Sequence, residues 1–176
     1  MTLNTQIKIL QTTDAEQLSA LCLRIYPQFF LYLWHEQGEW YQREKYNAAQ
    51  LRREIENPNS KFYFIFLEGE PVGYLKINLN AALPDYPHPN GLEVERIYLL
   101  KEVQGKGLGK ALMDFAVEQA KLLRKTHLFL YVMDSSTDSI KFYQKMGFEK
   151  AGRKYLTFEQ MKEEYRGMYS MVKNLE

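Results

Sequence analysis

One cysteine among 176 residues leaves no internal disulfide to form. Cys22 sits inside an apolar helical pattern and is expected to be a small core residue in a reducing compartment, the cytoplasm. An excess of charge of either sign is also missing, with 23 Lys and Arg against 22 Asp and Glu. A nearly neutral chain has no broad electrostatic pull toward nucleic acid or an anionic membrane, so neither is expected as a partner. No apolar run approaches the roughly 20 residues of a membrane span, and no signal-peptide pattern opens the sequence. There are three histidines; His88 has no ligand partner at metal spacing and reads as a surface residue, so no metal is expected. Of the six prolines, three fall in residues 80–90, N-A-A-L-P-D-Y-P-H-P-N, which marks that stretch as an irregular loop.

What the chain has in quantity is tyrosine, 13 residues in all. A flat face with a polar tip suits a recognition pocket as well as a core. The length and the 45% hydrophobic fraction fit one domain over 1–176. No internal repeat or low-complexity linker offers a boundary within it.

In chain order, Ile7–Leu10 reads as a short strand. Thr13 or Asp14 then caps a helix whose apolar stripe is Leu18, Leu21, Cys22 and Ile25. Residues 26–46 are the most aromatic part, with Tyr26, Phe29, Phe30, Tyr32, Trp34, Trp40, Tyr41 and Tyr46 interleaved with Glu36, Glu39 and Glu44. Taken singly, these aromatics read as helical turns packed on a sheet. As a segment they could line a mouth for a cationic molecule. A helix over 47–56 ends at Asn57-Pro58. Residues 61–67 and 72–79 read as a hairpin of strands. Later come a helix to about Leu123, a strand over 127–133, a helix carrying Ile140, Phe142, Tyr143 and Met146, and strands over 148–155 and 165–172. On the first of those helices Leu108, Leu112, Phe115, Ala116 and Gln119 to Leu122 trace the inner face. The order β-α-α-β-β-β-α-β-α-β-β predicts an α+β fold, a mixed, mostly antiparallel sheet with helices on both faces.

The chain is organised around Gly91–Lys110, a strand followed by a basic glycine loop and the first turn of a helix. Gly105, Gly107 and Gly109 let backbone N–H groups converge on an anion, and the positive end of the helix points at the same place. Lys106 and Lys110 add charge. A Walker loop is excluded because Ala111 follows Lys110. The dinucleotide fingerprint would need glycine at position 110. A ligand-free glycine-rich helix start has the same local pattern, so other parts of the chain must decide.

The run Q-x-x-G-x-G, Gln104 to Gly109, directly after E-R-I-Y-L, resembles the coenzyme A pyrophosphate loop of the GNAT N-acetyltransferase superfamily. The run S-I-K-F-Y-Q-K-M-G-F, residues 139–148, is similar to that family's later A-x-x-F/L-Y-x-x-x-G-F element. The predicted element order matches as well, so the resemblance spans essentially the whole chain. The runs F-Y-F-I-F, V-G-Y-L-K-I-N-L, L-E-V-E-R-I-Y and G-L-G-K-A-L-M-D-F-A are similar to bacterial PaiA-like polyamine (spermidine/spermine) acetyltransferases. That pattern often has asparagine just before the helix carrying Tyr143, where this chain has Ser136 and Asp138.

The resemblance implies an acetyl-CoA-dependent N-acetyltransferase, with coenzyme A bound by Gln104, Gly105, Lys106, Gly107, Leu108, Gly109 and Lys110. It also implies that backbone groups from Ile97, Tyr98 and Leu99 meet the pantetheine arm, on a central strand that splays from its neighbour. Glu93 or Glu95 would supply a base, and Tyr143 an acid toward the departing thiolate. Lys141 and Lys145 share a helix face, and Lys145 is the better placed to reach the adenosine phosphate. Glu93 and Glu95 are two apart and so on one strand face, where an ion pair with Arg96 would serve equally well. The expected acceptor is a primary amine of a small molecule, a polyamine preferred, attacked directly in a ternary complex. A protein or peptide N-terminus or lysine is the alternative substrate, and a non-catalytic acyl-CoA sensor the alternative class. A monomer or a homodimer fits equally.

Overall fold

The apolar run of β2 (Ser60–Leu67) continues on both faces, the pattern of a strand covered on both sides. Phe62 and Phe64 point one way, and Phe62 lies 5.5 Å from the ammonium of Lys76. Tyr63 points the other way, its ring edge-on to Phe115 at 4.8 Å. This computed structural model describes residues 4–175; residues 1–3 and 176, the ends of the expected domain, lie outside them. Among the described residues seven strands form one sheet: β1 (Thr5–Ile9), β2, β3 (Glu70–Ala81), β4 (Gly91–Leu99), β5 (His127–Met133), β6 (Glu149–Tyr155) and β7 (Gly167–Asn174). Their order is β1-β2-β3-β4-β5-β7-β6. The β4–β5 pair is parallel and its two strands are joined through helix α4 (Leu108–Leu122), as a parallel connection requires. The other neighbouring pairs are antiparallel.

Helices α1 (Ala15–Ile25), α2 (Glu39–Lys45) and α3 (Ala48–Glu56) stand between β1 and β2. The expected order had two helices there; α2 is the third, one short segment of the aromatic stretch. The α1 stripe of Leu18, Leu21, Cys22 and Ile25 is buried as its spacing predicts. Burial pushes the Cys22 thiol up to about 12, which leaves it an unreactive core group. Asp14 does not cap α1 through its side chain. Its carboxylate instead accepts from the Gln11 N–H at 2.7 Å and closes a 3-10 turn over Thr12–Asp14. On α4 the buried set is Leu108, Leu112, Met113, Ala116 and Ala120, so Met113 joins the inner face and Leu122, 76% exposed, leaves it. Helix α5 (Thr137–Lys145) lies beside α4, with Phe142 near Gly109.

Asn47 caps α3, accepting from Gln50 N–H at 2.8 Å while its amide donates to the Arg43 carbonyl at 2.8 Å. Asn47→Ala removes both bonds and should cost about 1 kcal/mol, a fall in Tm of roughly 2–4 °C by calorimetry. The proline loop is pinned at Leu83, buried with Phe129 and Val172, and at Tyr86, whose hydroxyl donates to Asn174 at 2.6 Å. Strand β6 lies at the sheet edge, exposed along its length, and its Lys150, Arg153 and Lys154 oppose edge-to-edge pairing. Among the described residues no helix is long and apolar enough to cross a membrane.

Candidate active site

Two polar side chains interrupt the apolar run of β3, Lys76 and Asn78. Across from them Arg96 of β4 pairs with Lys76 while Val94 pairs with Ile77, so Glu95 is an extra residue, a β-bulge. The bulge changes the phase of alternation along β4. Glu93 before it, Glu95 at it, and Arg96 and Tyr98 after it all reach the face covered by α1 and α3. The Asn78 amide nitrogen donates to both carboxylates, at 2.8 Å to Glu93 and 2.8 Å to Glu95.

The two glutamates then differ. Glu95 is bound to Lys76 at 2.7 Å and to Arg96 at 3.4 Å. Both cations also reach Glu54 on α3, Lys76 at 2.9 Å and Arg96 at 3.1 Å. Lys76 and Arg96 are buried. The four charges sum to zero, which is the condition for burying them. Burial alone would raise the Glu54 carboxyl, but Arg96 and Lys76 outweigh it and hold the group below its ordinary range. Among the described residues Glu93 has no cation within ion-pair distance. Burial raises its carboxyl above the ordinary range, Glu95 adds to the rise, and the Asn78 bond only partly offsets it. A carboxylate so placed gains by taking up a proton.

Strands β4 and β5 pair only at Gly91↔His127, Leu92↔Leu128 and Glu93↔Phe129, then diverge. From Val94 to Leu99 the β5-facing backbone edge of β4 is therefore unpaired. A cavity of about 710 Å³ opens along it, lined by Ile97, Tyr98, Leu99, Gln104, Gly105, Gly107, Leu108, Gly109 and Lys110. Phe29, Phe30, Tyr32 and residues 135–139 form its other walls, with Phe142 and Tyr143. Gly105 and Gly107 have φ of 77° and 80°, and a Cβ on either would meet nothing within 4 Å. The left-handed turn that these residues permit carries the chain into α4 with its first N–H groups uncovered. The N–H groups of 105–110 donate to no backbone carbonyl among the described residues. Converging N–H donors at a helix start, beside an open strand edge, fit a phosphate followed by an extended amide chain.

A second cavity, about 430 Å³, lies over the face that holds Glu93, Glu95 and Arg96. Its walls include Tyr26, Trp34, Tyr41, Tyr46 and Phe158, a set of rings in mutual contact. Trp34 donates its indole N–H to the Tyr26 hydroxyl at 2.8 Å, which satisfies the polar tips of two buried rings. The two cavities share Phe30, Tyr98, Ser136, Ser139 and Tyr143. Ser136, the residue just before α5, and Ser139 and Tyr143 on it stand at i, i+3 and i+7, along one face. Burial raises the Tyr143 hydroxyl well above its ordinary range, so it is protonated, and it has no hydrogen-bond partner among the described residues. The junction thus places the Tyr143 hydroxyl, with those of Tyr98, Ser136 and Ser139, between a phosphate-and-amide cleft and a carboxylate-and-aromatic cleft.

Of the eleven residues that the resemblance assigns to coenzyme A, nine line the first cavity. Lys106 and Lys145, also expected there, are exposed and line neither cavity. Lys110 lines the first cavity while its ammonium pairs with Asp114. Ser136 and Asp138, the residues in place of the usual asparagine, both line it. Sequence reading missed Asn78, Glu54, Lys76 and Lys154. For the two β3 residues a signal existed, polar side chains inside an otherwise apolar strand.

Residues 21–148 match the family model described as Acetyltransferase (GNAT) family. The chain is 41% identical over 104 residues to an uncharacterized N-acetyltransferase in the pepI 3′ region of Lactobacillus delbrueckii subsp. lactis, a match covering 59% of this chain and 60% of that protein. It is 26% identical over 152 residues to spermidine N(1)-acetyltransferase of Thermoplasma acidophilum, covering 82% of this chain and 88% of that one. Among solved structures, PaiA N-acetyltransferase from Thermoplasma acidophilum in complex with coenzyme A superposes with a TM-score of 0.77 at 24% identity, over 98% of this chain and 99% of that one.

Proposed function

The chain belongs to the acetyltransferase (GNAT) family, and we propose that it transfers acetyl from acetyl-CoA to a primary amine of a small molecule, a polyamine preferred, by direct attack in a ternary complex. The observation that carries the proposal is the meeting of the two cavities at Tyr143. In this reading the glycine loop holds the pyrophosphate, the open β4 edge holds the pantetheine amides, and the second cavity holds the amine. Acetyl-CoA supplies an activated acyl group whose sulfur is the leaving atom.

Residues of this chain would do the rest. An alkyl ammonium near pKa 10.4 is only about one part in a few thousand neutral at pH 7, a handicap of roughly 4–5 kcal/mol. Glu93, the carboxylate without an ion-pair partner, would take that proton directly or through water. Glu95, tied to Lys76 and Arg96, would set the bulge and the charge around it. Tyr143 would donate a hydrogen bond to the sulfur. Its raised pKa sets it further above a thiol than the ordinary gap of about 1.5 units, so the hydroxyl stabilises the thiolate without surrendering its proton. Tyr143→Phe should lower kcat about tenfold and leave acetyl-CoA affinity unchanged by calorimetry. Undiminished kcat would remove Tyr143 from the mechanism.

Support for a polyamine comes from the glutamates and stacked rings of the second cavity, and from the spermidine acetyltransferase among the relatives. A thiol-release assay with spermidine, spermine and a generic peptide tests the reading. Release with the polyamines is the expected result. Release with the peptide alone would make this a protein acetyltransferase. Acetyl-CoA binding with no release across a broad amine panel would make it a sensor.

A further inference from the structure

The second cavity already contains an alkyl amine. Lys154, on the edge strand β6, lines it, and the Lys154 ammonium lies 3.4 Å from the centroid of the Tyr131 ring. Strand register explains the direction. Lys154 pairs with Met168, Met168 pairs with Met133, and Tyr131 is two residues before Met133 on the same face. Glu93, opposite Phe129, shares that face too. An edge-strand lysine that only opposed aggregation would extend into water. This one folds back over an aromatic ring, and among the described residues it has no ion-pair partner. The residue as a whole stays exposed, but partial cover of its ammonium lowers its pKa although Glu93 and Glu95 act against the shift, so its neutral amine is easier to reach than that of a fully solvated lysine. Lys45 also lines the cavity, but at the end of α2 and, among the described residues, without an aromatic ring beneath it.

A primary amine on four methylenes, over an aromatic face and near a carboxylate, is chemically the aminobutyl end of a polyamine. We propose that Lys154 is an intramolecular acceptor, a modification site that takes the acetyl group when no free amine fills the cavity. The inference rests on the acetyltransferase reading above. In the step the Lys154 ammonium gives one proton to the Glu93 carboxylate, which passes it to water. The neutral nitrogen forms a C–N bond to the acyl carbon as the C–S bond breaks, and the second proton lost by that nitrogen passes through water to the departing sulfur, giving the thiol. The products are an N-acetyl-lysine, free coenzyme A and one released proton, with no oxidant or reductant needed. Acetylation removes the cation from the aromatic face and leaves a neutral amide in the space that an amine substrate would take.

The test is incubation of the full chain with acetyl-CoA and no amine, followed by intact mass and peptide mapping. One acetyl group at Lys154 is expected, added at least about tenfold faster than at other exposed lysines such as Lys141, which lie outside the cavity, because the reacting groups are held together. The rate constant should be independent of protein concentration, fall when spermidine is added, and fall in Glu93→Gln. Lys154→Arg should carry no label at that position. Label spread over surface lysines, or a rate that rises with protein concentration, would overturn the proposal. So would an unlabelled Lys154 in protein that still releases thiol with a free amine. If no amine supports release and no label forms, the acetyltransferase reading fails along with it.

Discussion

Glu93→Gln should lower kcat/KM for an amine by about a hundredfold or more, the usual contribution of a positioned general base. Glutamine keeps an oxygen to accept from Asn78, so the geometry of the bulge survives the change. The sign of the accompanying pH effects follows from the raised carboxyl of Glu93. Only the ionised form can take a proton from the amine, so in the native protein kcat/KM should climb through an acidic limb set above the ordinary carboxylate range. That limb should be missing in the variant. A group whose pKa is raised by folding favours the folded state at low pH, and that advantage disappears as pH rises through the raised value. At neutral pH the buried charge therefore opposes folding, and the variant should be no less stable than the native protein. A variant with the native pH profile would place the base elsewhere.

The second large effect is on stability. Glu54→Ala leaves Lys76 and Arg96 buried with Glu95 as their one remaining carboxylate. Breaking a buried ion cluster from one side costs about 3–5 kcal/mol because a charge is left uncompensated. In a chain of this size that is a fall in Tm of roughly 10 °C or more. Glu54→Gln, which retains one acceptor, should lose less. The Glu54 carboxyl is lowered in the folded state, so its contribution is full above the unfolded value near pH 4.3 and fades as pH falls through the folded one. The gap between native protein and Glu54→Ala should accordingly close in acid. If Glu54→Ala melts with the native protein at neutral pH, the cluster contributes nothing net.

These two residues show which parts of the site could be read before the fold was known. The glycine loop was legible because its chemistry is local: residues 104–110 contain the turn, the helix start and the open N–H groups. Tyr143 was legible through a motif and a helical period. Glu93 and Glu95 were placed on one face by strand alternation, correctly. The same rule would have put Arg96 and Tyr98 on the opposite face, since alternation carries no sign of the extra residue that resets it. Glu54 contacts β3 and β4 across 22 and 42 residues of chain, a pairing that no local pattern encodes. Lys106 and Lys145 show the converse. Their charge was legible, but the direction of an exposed side chain depends on the surface around it.

The short β4–β5 seam has a consequence for cooperativity. Three residue pairs join a block of β1 to β4 to a block of β5, β7 and β6. Each block is knit internally by antiparallel ladders of five or more pairs. Amide exchange in the empty protein should therefore report two sub-global opening units with unequal protection. A molecule lying in the cleft and touching both β4 and α5 would act as a clamp across the seam. Its binding energy would then appear as protection far from its own contacts, in β6 and β7, because separation of the blocks would require its release.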